Sequence, residues 1–217
     1  LVFYHKLIFL AKSGIISMIF KEIKMKKTLK IESLKNYVNN VSQEEFMLLA
    51  NNIYMITDFV CSDYPKYKEW YFTKQLPATV VGDKRNILFV RNPDDVDEII
   101  SMACLKKDEE EQKICTLYVA DKYRGLGIGN VIVEESIRWL GTTKPFITFA
   151  DYKLEMFRSI IYKYDWELTE VVSGLYNNKA QELCFNGTLT KNNKETLKQQ
   201  LHKKLVRVLR NRCNQIK

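Results

Sequence analysis

The chain has 217 residues, 46% of them hydrophobic and 28% charged, a balance that suits one folded domain and excludes disorder throughout. Its formal net charge of +8 sits at one end, because Lys191 to Lys217 hold nine basic residues against one acid, Glu195, which leaves the first 190 residues nearly neutral. The two histidines, His5 and His202, lie near the ends and exclude a central Ser-His-Asp triad or a histidine metal centre, and the five irregularly spaced cysteines without a C-x-x-C pair point to reduced thiols in a cytoplasmic protein with no metal site.

Leu7 to Phe20 is apolar except at Lys12 and Ser13, shorter than the ~20 residues a membrane span needs, so no membrane span is expected. The chain begins with Leu, and Met25-Lys26-Lys27 reads as a start. Residues 1–24 are therefore expected to be a non-native or optional extension, or an extra amphipathic helix. The alternation of Leu29, Ile31 and Leu34 predicts a first strand within Thr28 to Val38. Ser42 reads as the N-cap of a helix with Glu44 and Glu45 in its first turn and a stripe of Phe46, Leu48, Leu49, Ile53 and Ile56. Asp63 to Pro77 carries Tyr64, Tyr67, Trp70, Tyr71 and Phe72 and is expected to be a short helix or ordered loop. Its aromatics either pack as core and rim or build a wall for a substrate.

Strands are predicted at Asn86 to Arg91, Glu98 to Leu105 and Ile114 to Val119, the last two forming a hairpin around the charged stretch Lys106 to Lys113. A helix over Gly129 to Leu140 stops at Gly141. Pro145 to Ala150 is a strand, Leu154 to Tyr164 a helix, and Leu168 to Val172 and Gln181 to Leu189 are late strands around the turn Tyr176 to Lys179. This is a mixed α/β layout. Cys115 is placed by alternation on the same face as Leu117 and Val119, as a buried thiol. From Lys191 on, Leu197, Leu201 and Leu205 recur at helical spacing among basic residues. The basic amphipathic tail helix packs on the domain, docks a second subunit of a homodimer, or offers a handle to nucleic acid or an acidic partner.

The segment Leu117-Tyr118-Val119-Ala120-Asp121-Lys122-Tyr123-Arg124-Gly125-Leu126-Gly127-Ile128-Gly129-Asn130 concentrates the chemistry. A strand ends, a cation follows, and glycines lead into a helix whose first turn has unpaired N–H donors and a partial positive charge. That combination binds pyrophosphate. A P-loop is excluded because no Lys-Ser or Lys-Thr follows the glycines. A dinucleotide fingerprint fails because its third glycine falls on Asn130 or Ile132, although Asp151 stands where a ribose ligand belongs.

The segment instead resembles the acetyl-CoA-binding motif of the GNAT superfamily of N-acetyltransferases, [Q/R]-x-x-G-x-[G/A] after a Leu-x-Val strand, with Leu117 and Val119 in the strand and Arg124, Gly127 and Gly129 in the motif. The resemblance covers about Thr28 to Leu189. It implies the GNAT-like acyl-CoA N-acyltransferase fold over residues 25–190, with 191–217 as a basic helical tail. It implies an N-acetyltransferase that moves an acetyl group from acetyl-CoA, as cosubstrate, to a primary amine by direct attack in a ternary complex. Leu117, Tyr118 and Val119 would hold the pantetheine, the Val119 N–H would polarise the thioester carbonyl, and Arg124, Gly125, Leu126, Gly127, Ile128, Gly129 and Asn130 would hold the pyrophosphate.

A lysine-like amine with a pKa of ~10.4 is almost wholly protonated near neutral pH, so attack needs a base. Many relatives carry a catalytic tyrosine on the second helix of this unit. The matching position here is Ile161, with Asp165 and Trp166 at the following glycine and phenylalanine positions. Tyr164 is the nearest substitute, and Asp151 and Tyr152 are alternative acid–base candidates. The other implied reading is a GNAT-shaped module that binds acyl-CoA, nucleic acid or another partner without turnover.

Overall fold

In the computed structural model, residues 29–176 and 179–189 are described. The expected extension 1–24, the tail helix 191–217 and Asn177-Asn178 of the late turn lie outside them. The described chain builds β1 (Ile31–Ser33), α1 (Gln43–Met55), α2 (Tyr67–Trp70), a π-helical turn (Tyr71–Gln75), α3 (Leu76–Val81), β2 (Arg85–Asn92), β3 (Asp95–Lys107), β4 (Gln112–Val119), α4 (Ile128–Leu140), β5 (Phe146–Ala150), α5 (Leu154–Tyr164), β6 (Leu168–Ser173) and β7 (Gln181–Phe185). Among the described residues, no helix is long and apolar enough to cross a membrane.

The strands form one seven-stranded sheet in the order β1-β2-β3-β4-β5-β7-β6. All neighbours are antiparallel except β4 and β5. The sheet separates two cores. One holds Ile128, Ile132, Val133 and Leu140 of α4 and Ile160 of α5 against Leu88, Val90, Ile100, Phe149 and Leu183. The other holds Phe46, Leu49, Ala50 and Ile53 of α1 with Tyr67, Tyr71 and Leu76 against Ile87, Phe89, Met102 and Cys104. Alternation along β2 supplies both, since neighbouring side chains point to opposite faces.

Several expectations shift in detail. The first strand is only three residues long, and Leu34 opens a 3-10 turn, Leu34–Tyr37, with its side chain fully buried. The last strand ends at Phe185 rather than Leu189. The aromatic segment is helical from Tyr67 to Val81, in three pieces. Pro77 sits at the start of α3; it has no N–H to give to the preceding turn, and the wider π turn before it accommodates that loss.

Candidate active site

The two central strands, β4 and β5, pair only at Lys113 with Phe146 and Ile114 with Ile147. Beyond that point they diverge. Ala120 N–H donates to Ile100 C=O of β3 at 2.9 Å, so Tyr118 and Thr116, two and four residues back, also turn their backbone groups toward β3. The N–H and C=O groups of Leu117 and Val119 therefore face the gap. The Val119 carbonyl confirms this direction by accepting from Arg124 Nε at 3.1 Å.

A bulge sets the facing of this strand. Cys104 pairs with Thr116 and Leu105 with Ile114, which leaves Cys115 as the extra residue. The bulge breaks the alternation on which Cys115 was placed. Cys115 lies with Tyr118 against the α1 core, while Leu117 and Val119 lie against the α4 core. Burial raises the Cys115 thiol pKa, which argues against a thiolate nucleophile there.

The glycine turn is held from both sides. Arg124 pairs with Asp121 at 2.7 Å while bonding Val119. Tyr123 donates to Glu98 at 2.7 Å and accepts from Asn92 at 3.0 Å, and Lys122 pairs with Glu98 at 2.6 Å. The Lys122 ammonium, with the Tyr123 hydroxyl, holds the Glu98 carboxyl below the usual range. These contacts fasten the turn to the hairpin of β2 and β3. Gly125 and Gly127 adopt φ of 76° and 78°, a left-handed conformation in which a Cβ is strained. Gly127 is the N-cap of α4, and the first bonds of that helix run from Asn130 and Val131 to the Gly127 carbonyl. The N–H groups ahead of Asn130 are the free donors of a helix start. Asn130 Oδ1 is buried without a hydrogen-bond partner among the described residues.

A cleft of about 1160 Å³ runs through the gap and past this turn. Leu117, Tyr118, Val119, Arg124, Gly125, Gly127, Ile128, Gly129 and Asn130 all line it. A Cβ on Gly129 would lie 3.8 Å from Val119 Cγ2 and 3.9 Å from Ile160 Cδ1, at the junction of gap and helix. Unpaired first-turn donors and a nearby guanidinium fit the phosphate of a ligand, and the orphaned Asn130 Oδ1 can only accept from a donor elsewhere on it.

Three predicted site residues are not brought to the cleft. Leu126 is buried in the α4 core, so only its backbone reaches the turn. Tyr164 stacks on Trp166, its ring centroid 6.1 Å away, with its hydroxyl buried; neither it nor Asp151 is among the residues lining the cleft. Tyr164 shares a helix face with Ile160, which lines the cleft, but it sits a full turn further along α5 and is stacked on Trp166. From the aromatic segment, Tyr67 and Tyr71 are core, packed with Tyr54 and Phe72, yet Tyr64, Tyr67 and Trp70 also line the cleft.

Residues 50–148 match the acetyltransferase (GNAT) family. Arabidopsis thaliana NAA60 in complex with acetyl-CoA superposes with a TM-score of 0.52 at 13% identity, over 73% of this chain and 97% of that one. The ribosomal-protein-S18-alanine N-acetyltransferase from Escherichia coli superposes with a TM-score of 0.50 at 10% identity, over 76% and 98%. Nourseothricin acetyltransferase matches at 12% identity and a TM-score of 0.43 over 47% of this chain and 64% of that one, so the chain spans less than two thirds of that protein. No curated protein sequence matches. Residues 50–148 thus resemble the GNAT family, and the seven-stranded sheet, parallel only at β4 and β5, has the GNAT-like fold.

Proposed function

We propose that the protein is an N-acetyltransferase that transfers an acetyl group from acetyl-CoA to a primary amine, by direct attack in a ternary complex. The observation that carries this reading is the continuity of the cleft from the β4/β5 gap to the start of α4. The gap offers Leu117 and Val119 backbone groups to the pantetheine amides. The turn from Arg124 to Asn130 offers N–H donors and one cation to the pyrophosphate. The Val119 N–H is a fixed dipole for the thioester oxygen, and it needs no reorganisation as charge develops there. The far end of the cleft, lined by Tyr64, Tyr67, Trp70, Leu175 and Tyr176, receives the amine.

A second reading, acyl-CoA binding without turnover, is favoured by one observation: α5 presents Ile161 where relatives carry a tyrosine, and Tyr164 does not line the cleft.

Thermal shift with acetyl-CoA tests the reading. A ligand at 100 times its dissociation constant adds about 2.7 kcal/mol of stability. We expect that shift in the native protein and its loss in Gly127→Glu and Arg124→Glu, with the unliganded Arg124→Glu melting near the native value. Thiol release on adding amines then separates turnover from binding. Absence of any shift with acetyl-CoA or other acyl-CoAs would refute the assignment.

A further inference from the structure

β7 holds a carboxylate in a place where burial is costly. Glu182 is 5% exposed. It sits opposite Ala150 at the end of β5 and Val172 of β6. Its neighbours Leu183 and Phe185 belong to the α4 core; alternation turns Glu182 to the other face, beneath Tyr64. A carboxylate out of water needs partners, and those of Glu182 are two hydroxyls. Tyr64 donates to both carboxylate oxygens, at 3.1 and 3.3 Å, and Thr148 supplies another side-chain hydrogen bond. Both residues line the large cleft.

Beside Glu182 lies a cavity of about 10 Å³, lined by Asp63, Tyr64, Ala150, Leu175, Tyr176 and Glu182 among others. That is room for about one water. Tyr64, Leu175 and Tyr176 line both spaces, so the small cavity adjoins the acceptor end of the cleft. The mouth above carries exposed apolar side chains among charged ones: Phe59, Met156, Leu175 and Tyr176 line the cleft and remain 45 to 54% exposed, beside Lys66, Lys153 and Glu155. Neighbouring exposed apolar side chains at a cleft mark a binding surface.

We propose that Glu182, held by Tyr64 and Thr148 beneath these exposed apolar side chains, takes the proton from a primary amine carried on an apolar body. The inference rests on the acetyltransferase reading. The ammonium passes one proton through the cavity water to Glu182. The neutral nitrogen attacks the thioester carbon, the C–N bond forms and the C–S bond breaks. The departing thiolate takes the second nitrogen proton, the third stays on the amide, and Glu182 releases its proton to solvent. Burial raises the Glu182 pKa, offset in part by Thr148, Tyr64 and the charges of Lys153 and Lys113, which moves it toward the range a base needs near neutral pH. The other titratable groups around it are Asp63 and Tyr64 before α2, Tyr152 after β5, Tyr176 after β6, and Glu170 and Cys184 on β6 and β7. Asp63 is paired with Lys153 at 2.7 Å.

The test uses the full chain, its Glu182→Gln and Tyr64→Phe variants, and three probes: phenethylamine, the peptide amide Phe-Ala-Ala-NH2, and ethanolamine. Thermal shift with acetyl-CoA comes first and should be equal in the native protein and Glu182→Gln. Thiol release from pH 5 to 9 should then favour phenethylamine or the peptide over ethanolamine by at least tenfold in kcat/KM, and the better probe tells a free amine from a chain terminus. Glu182→Gln should lower kcat about 100-fold and erase the acidic limb of the profile. Tyr64→Phe removes a donor to the carboxylate and should move that limb to higher pH, together with the side-chain 13C titration of Glu182. If Glu182→Gln keeps kcat within threefold and retains the limb, or ethanolamine serves as well as the apolar amines, the inference is overturned. An unshifted native protein overturns the acetyltransferase reading itself, and this inference with it.

Discussion

Asp165 ends α5 in the left-handed region, with φ of 50°. The family pattern that the sequence resembles has glycine at this position, and the backbone accounts for that: a Cβ in this region costs roughly 1 to 2 kcal/mol, less for Asp than for most residues. Lys144 reaches Asp165 at 3.4 Å, but the Asp165 side chain is almost fully exposed, so the pair contributes little. Asp165→Gly should therefore raise stability by about 0.5 to 1 kcal/mol, measured by urea denaturation. At this scale the glycine turn that leads into α4 was plain in the sequence, because Arg124, Gly125, Gly127 and Gly129 follow a strand at a telling spacing. Glu182 was not. Its burial depends on β7 lying between β5 and β6 and on Tyr64 arriving from a loop 118 residues earlier in the chain. Only its position as an acid directly ahead of the apolar run Leu183-Cys184-Phe185 in β7 hinted at a buried carboxylate.

Among the elements, α1 is the one whose start was written most clearly. Ser42 Oγ accepts from Glu45 N–H at 3.2 Å, and Ser42 N–H donates back to the Glu45 carboxylate at 2.9 Å, a reciprocal cap. Ser42→Ala should lower stability by about 1 kcal/mol in a chemical melt. The turn joining β3 and β4 has a comparable device. Asp108 accepts from Glu110 and Glu111 N–H at 3.1 and 2.9 Å and pairs with Lys106 at 2.8 Å. Lys106, then the backbone bonds, pull the Asp108 pKa down to about 2, below its unfolded value of about 3.9. A depressed acid stabilises the fold above its unfolded pKa, and that contribution is lost as pH falls from about 4 through 2. The stability gap between the native protein and Asp108→Asn should be open at pH 6 and narrow by pH 2.5. The charged run from Lys106 to Lys113 pointed to this hairpin. The bulge at Cys115 and the π turn at Tyr71–Gln75 were hidden, because no glycine or local pattern marks the first and the second depends on how Pro77 is packed into a continuing helix.

Over the whole molecule, the strands were legible one by one and their order was not. β7 threads between β5 and β6, an arrangement in which late strands with similar apolar patterns are interchangeable on paper. Gly187 helps close this edge. A Cβ there would stand 2.8 Å from the Phe146 ring, in a tightly packed corner where Phe146 is 6% exposed. Gly187→Ala should cost about 1 to 3 kcal/mol, read as a lowered urea midpoint. The junction of β4 and β5 has a different consequence. Seven strands share one sheet, yet its two halves are stitched at the centre by only two residue pairs. The half made of β5, β7 and β6 is therefore free to open as a unit at lower free energy than the half made of β1 to β4. A ligand spanning the gap would act as a bridging rung. Amide protons of β5, β7 and β6 should exchange with deuterated water together, ahead of those in β2 and β3, and acetyl-CoA should slow that group most.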